Sequence, residues 1–301
     1  MTIPAIQARA ARFRDSAADA FDDERLFRIV GTMTALLVIL QVANAPRLEE
    51  ILAIGAAAGI LLPRLMHQPM YWFGLCAILA VNHVQLWATL DNHQYLITYW
   101  CLAMGTSQLL PSSRRALATN ARLLIGLCFL FATVWKFMST EFIDGTFFHF
   151  TLLTDRRFSG FADLVGGVPS EVTTANLTAL DSLTRPYGDV EMIQLEDSPR
   201  IGTLALFLAV WTVTIEGLLA LLFLVPLRDR LAPLRDGLLL LFMVSTYPVA
   251  TVVGFGRVLA VMGMAQTPNR YRVERPLYLL LFLILPLFRF PFARAFRSVF
   301  G

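Results

Sequence analysis

Lysine is nearly missing from this 301-residue chain: it has 25 basic residues, and Lys136 is the one that is not arginine. Charge is scarce altogether, at 16% of residues against 56% hydrophobic ones, with a mean hydropathy of +0.62. One soluble core cannot hide that much apolar surface, so the composition predicts a polytopic membrane protein. The net charge of +3 is small and scattered over arginines at the ends of apolar runs. That distribution argues against a nucleic-acid partner and suits topology signals beside a lipid bilayer. The three cysteines, Cys76, Cys101 and Cys128, lie inside apolar runs without a CxxC pair, so they read as small buried hydrophobes and not as a disulfide framework. Four histidines with no carboxylate at ligand spacing argue against a metal site. There is no GxGxxG, P-loop, HExxH or GxSxG context and no internal repeat. A small-solute carrier, usually built from paired repeats, is therefore disfavoured.

What is present is a series of apolar segments, near 27–44, 50–63, 70–90, 94–110, 121–138, 201–225, 235–253, 255–267 and 277–290. Six come close to the roughly 20 residues needed to cross hydrocarbon, and three are short. The expected fold is an all-α polytopic membrane helix bundle with six and up to nine transmembrane segments. Residues 1–26 form a cytoplasmic N-terminal amphipathic segment: Ile3, Ile6, Ala10, Phe13 and Ala17 recur at helical spacing with arginines between them. Residues 27–138 supply helices 1–5, 139–200 an external cap loop, 201–290 helices 6–9, and 291–301 a basic C-terminal tail. If every segment crosses, Arg25, Arg28, Arg64, Arg114, Arg115, Arg228, Arg230 and Arg235 fall on one side. The positive-inside rule makes that side, and the N-terminus, cytoplasmic. The membrane expected is a bacterial plasma membrane. The tail arginines Arg294 and Arg297 break the pattern, leaving the sidedness of the last segment open. Asn176-Leu-Thr matches a glycosylation sequon, and reads here as accidental.

Depth in the membrane groups polar residues that the sequence scatters. His83 near the end of the third segment, Asn92, His93 and Tyr95 at the start of the fourth, Trp135 and Lys136 at the end of the fifth, and Tyr247 and Arg257 around the turn after the seventh all fall toward the outer side. A lysine in apolar surroundings has its charged form disfavoured and can act as a base, and an imidazole can relay the proton. Two plainer readings stay open: Lys136 snorkels to headgroups, and His93 is a satisfied interfacial residue. Glu216 stands alone in the sixth segment, about 22 Å from its outer start at 1.5 Å per residue. That depth favours a structural ion pair between Arg122 and Glu216 over a pair with Lys136.

At these residues the chain resembles vitamin K-dependent gamma-carboxylase and its bacterial relatives, the horizontally transferred transmembrane (HTTM) family. Asn92-His93-Gln94-Tyr95-Leu96 is similar to the family's Asn-His-x-Tyr-Leu motif. Arg122 and Lys136 reproduce its Arg-to-Lys spacing, and Phe142-Ile143-Asp144-Gly145, Ile215-Glu216-Gly217 and the stretch 253–268 follow in its order. The resemblance implies a membrane-embedded enzyme with carboxylase-like lyase and monooxygenase chemistry. Lys136 would be the base that deprotonates a reduced quinone, His93 a proton-handling partner, and Asn92, Tyr95, His83, Trp135, Tyr247 and Arg257 the pocket. Trp135 replaces a second lysine of the carboxylase, so the quinol half of that chemistry carries over more readily than protein carboxylation. The alternative expectation is a non-catalytic membrane factor that helps mature or export a secreted peptide, with that peptide or protein as partner.

Overall fold

The computed structural model describes residues 23–41, 48–88, 90–183, 193–225, 232–268 and 274–289. All regular structure among these residues is helical, as the composition predicts. The nine apolar segments lie on α1 (Asp23–Gln41), α2 (Glu49–Leu61), α3 (Pro69–Leu86), α4 (Asn92–Gln108), α5 (Ser113–Phe137), α8 (Ile201–Leu224), α9 (Ala232–Thr246), α10 (Val253–Gln266) and α11 (Glu274–Ile284). Between α5 and α8 come the cap helices α6 (Thr146–Thr154) and α7 (Ser170–Leu183). Proline sets several starts: Pro69 opens α3 and Pro233 lies in the first turn of α9, where a missing N–H costs nothing. The amphipathic reading of residues 1–22 and the basic tail 291–301 lie outside the described residues, and α1 begins before the expected boundary at residue 27.

Among the described residues two helices, Ser113–Phe137 and Ile201–Leu224, are long and apolar enough to cross a membrane, and Val253–Gln266 is apolar but shorter. Six such helices were expected from hydropathy. The difference has a physical source in the polar residues that interrupt the others. Arg25 and Arg28 dilute α1, Asn82, His83 and Gln85 dilute α3, and α9 stops at Thr246, just before a turn containing Pro248.

The chain forms two compact units, whose boundaries fall inside α5, α8 and α9. The first unit contains α1–α4, α10, α11 and the adjoining parts of α5, α8 and α9. Here α1, α4 and α10 pack on one another, α3 lies along α4, and α11 lies along α10. Two fully buried tryptophans satisfy their indole N–H groups: Trp72 donates to the Met66 carbonyl at 2.8 Å and Trp100 to Thr34 Oγ1 at 2.9 Å. Glycine allows the closest approaches. A Cβ on Gly59 would sit 2.1 Å from the Tyr71 hydroxyl, and one on Gly105 2.6 Å from the Phe73 ring.

The second unit is built from the end of α5, the cap, most of α8 and the end of α9. Its core joins cap residues Phe142, Phe148, Leu152, Leu153, Phe158 and Val168 to Ile201, Ala205, Leu208 and Ala209 of α8. The expected cap loop is thus largely helical, and the first turns of α8 belong to its core. Gly145 makes the turn into α6 at φ 86°, a left-handed conformation that favours glycine. Beside it the Asp144 carboxylate accepts the Thr146 N–H at 2.9 Å, which holds its carboxyl below the usual range. Asn176, the sequon residue, is buried and used structurally. Its amide donates to the Leu153 and Glu196 carbonyls and accepts the Glu196 N–H at 2.9 Å, which leaves it no room for a glycan.

Gly263 of α10 offers a sharp packing test. A Cβ there would lie 2.5 Å from Tyr278 Cε1, and the Tyr278 hydroxyl is tied at 2.9 Å to Asp236. Gly263→Ala is expected to destabilise the protein by about 1–3 kcal/mol through overpacking. Gly74→Ala, whose Cβ meets nothing within 4 Å, should leave stability unchanged or slightly raised. Unfolding of both variants in the same detergent micelles checks the contrast.

Candidate functional site

Lys136 ends α5 one turn beyond Thr133, and its ammonium donates to Glu216 Oε2 at 2.7 Å. The two side chains are 18% and 10% exposed, so both charges are largely withdrawn from water. The Phe142 ring, just beyond α5, lies 5.3 Å from the Lys136 nitrogen and adds a cation–π contact. A Cβ on Gly217 would meet Thr133 Cγ2 at 3.6 Å, an ordinary van der Waals contact, so the approach does not require glycine there. Beside this pair Trp135 is 74% exposed. It stands as an outer flank and does not close the site.

The expected Arg122–Glu216 pair is corrected by this geometry. Arg122 and Lys136 are about 21 Å apart along one helix at 1.5 Å per residue, so one carboxylate serves only one of them. Glu216 serves Lys136. The depth estimate counted from Ile201 as though α8 began level with the end of α5. In the structure the first turns of α8, Ile201 to Ala209, pack within the cap core, about 13 Å of helix that lies beyond the Lys136 level. Subtracting that length leaves about 9 Å of the roughly 22 Å, and the 2.7 Å hydrogen bond shows that the two long side chains reach each other.

The other expected site residues divide between the two units. Tyr247, with Trp135, Lys136 and Glu216, belongs to the second unit, where it is buried with its ring edge-on to Phe242. His83, Asn92, His93, Tyr95, Arg122 and Arg257 belong to the first. Within it His83 and Tyr95 do come together, ring centroids 4.7 Å apart, and His83 Nε2 shares a 2.6 Å hydrogen bond with Thr98 Oγ1. Asn92 is exposed, His93 is half-buried, and the Arg257 guanidinium lies 5.6 Å over the Phe282 ring. The contact between Lys136 and His93 thus remains an expectation.

A second buried polar cluster escaped the sequence reading. Asp236 of α9 is fully buried, and its Oδ1 accepts from Gln266 Nε2, from Thr267 Oγ1 at 3.1 Å and from the Tyr278 hydroxyl at 2.9 Å. Arg275 donates to the Thr267 carbonyl at 2.8 Å, so α9, α10 and α11 are tied at one point. The available signal was an Arg235-Asp236 pair beside an apolar run, with Gln266-Thr267 closing another. Among the described residues no group of three or more metal-ligating side chains comes together.

No family model, curated protein or solved structure matches the chain. The site is therefore read from its own chemistry. It holds an ammonium and a carboxylate sharing one short hydrogen bond between apolar helices, with the Phe142 ring beside it.

Breaking this pair from one side strands a charge. Lys136→Met is expected to destabilise the protein by about 3 kcal/mol, the lower end for a buried pair because Lys136 keeps some exposure. Lys136→Met combined with Glu216→Leu should recover most of that loss. Unfolding free energies of wild type, both single variants and the double variant form the cycle that measures it.

Proposed function

We propose that this chain is a multi-pass membrane protein of the gamma-carboxylase-like type that deprotonates a weakly acidic, apolar substrate, with Lys136 as base and Glu216 as its proton relay. The observation that carries this reading is the 2.7 Å hydrogen bond between Lys136 and Glu216. A weakly polar setting penalises an ion pair relative to its neutral amine and acid. Passing one proton from Nζ to the carboxylate frees the amine without changing the net charge. The amine can then take a proton from a bound hydroxyl, such as that of a reduced quinone, and Glu216 keeps the first proton within one hydrogen bond. The Phe142 ring beside the ammonium suits a flat, apolar ring as substrate. His93, half-buried at the start of α4, is assigned the second proton-handling role that the family resemblance implies.

The bare apolar side chains support the membrane setting. Leu61, Val84, Trp87 and Met138 are each at least 75% exposed, on helices and turns whose opposite faces are packed. Water would leave these surfaces aggregating, whereas hydrocarbon and the bilayer interface accept them. Such faces favour crossing or embedding by helices besides α5 and α8, and the arginine distribution favours a cytoplasmic N-terminus.

The second reading, a non-catalytic factor for a secreted peptide, is favoured by the cap. Phe147, Phe150 and Leu164 leave apolar surface open near the His149–Asp197 pair, a surface to which an extended peptide could bind. Lys136→Arg separates the readings, because arginine keeps the charge and can still pair with Glu216 but does not release its proton. With reduced naphthoquinone and oxygen, the protein in lipid nanodiscs should consume oxygen. Lys136→Arg and Glu216→Gln should lower that rate by about 10²–10⁴-fold, the usual contribution of a general base. Equal rates for wild type and Lys136→Arg would remove the base assignment and leave the peptide factor.

A further inference from the structure

The start of α5 lines a cavity of about 530 Å³ whose chemistry neither Lys136 nor Glu216 uses. Arg115, Ala118, Thr119 and Arg122 follow one another at helical spacing, so a single face of α5 turns two guanidinium groups and a hydroxyl into it. Arg114 joins them from the same first turn, and Arg235 of α9 faces the cavity as well. Four cations thus line one space, and no carboxylate lines it among the described residues.

The wall opposite α5 is built and held. Arg235 is 6% exposed, with its guanidinium 5.5 Å over the Phe223 ring. Gln266 and Thr267, 4% and 0% exposed, also line the cavity, and both are held from behind by the buried Asp236 carboxylate. A further polar atom is unmatched: Arg122 Nε is buried and hydrogen-bonds nothing among the described residues. Side chains fixed this firmly have already lost the freedom that binding would otherwise cost them.

Arg115 and Arg122 on one face of α5 and Arg235 on the facing wall make the space electropositive, which favours an anion within it. Arginine is the residue whose planar fork matches phosphate oxygens in pairs, and the start of a long helix adds its own preference for negative charge. The volume lies in the range of small-ligand pockets, enough for a phosphate together with the group it esterifies. We propose that this cavity is a phosphate-recognition site. It takes a phosphate ester through Arg115, Arg122 and Arg235, the chemistry that an anionic phospholipid headgroup shares with a soluble phosphate compound.

The test uses full-length protein, purified in nonionic detergent and delipidated, at fixed ionic strength. It is titrated with inorganic pyrophosphate, with short-chain phosphatidylglycerol, and with short-chain diacylglycerol as the phosphate-free control. Calorimetry reads affinity and tryptophan fluorescence reads Tm. Saturable binding of pyrophosphate assigns a soluble ligand, and saturable binding of phosphatidylglycerol alone assigns a headgroup; either is expected to raise Tm. Arg115→Gln, at an exposed position whose loss should not alter the ligand-free Tm, and Arg122→Gln should each weaken binding about tenfold or more. Arg122→Lys should restore only part of the loss. The proposal is overturned if neither phosphate probe binds saturably, if diacylglycerol binds as well as phosphatidylglycerol, or if the Arg115→Gln/Arg122→Gln double variant binds like wild type. Oxygen consumption with quinol plays no part in these readouts, so this result and the Lys136→Arg result stand or fall separately.

Discussion

An ammonium and a carboxylate withdrawn together from water tolerate little displacement, and the Lys136–Glu216 bond places that demand between the two helices that, among the described residues, are long and apolar enough to cross a membrane. Leucine against leucine can slide by a turn at small cost. A 2.7 Å charge-assisted hydrogen bond cannot, because a slip of one turn, about 5.4 Å, strands both charges. The pair therefore sets the register of the end of α5 against α8. From that register follows the placing of Phe142 over the ammonium and the packing of the first turns of α8 into the cap core.

The first unit applies the same rule with neutral partners and one buried acid. Trp100 to Thr34, His83 to Thr98 and the three donors on Asp236 each fix one helix against another at a single point, between surfaces that are otherwise shape-matched apolar side chains. At the start of α5, by contrast, four guanidinium groups are arranged around a space.

Much of the architecture was legible from residue order. Apolar runs located the nine helices that carry the apolar segments, and the length of 139–200 marked the cap. How many helices cross was less legible, since hydropathy counts Asn82, His83 and Gln85 as interruptions without knowing that Asn82 and His83 are buried against neighbours. The lone lysine was legible as a site because it is costly wherever it lies. Its partner was not: depth counted along α8 from Ile201 assumes that both helices end at one level, and the cap core shows that they do not.

The amino-acid sequence by itself determined the all-helical class, the order of the apolar helices and which rare charges had to be satisfied, because apolar runs and the cost of burying charge are local properties. Only the tertiary structure decided that Glu216 and not Arg122 sits within hydrogen-bond reach of its counter-charge, that Asn176 is a buried clasp, and that four arginines from two helices surround one cavity. Those outcomes depend on the relative level of helices distant in the chain. That level is set by packing and by the few polar contacts that cannot slip, neither of which is written in any single segment.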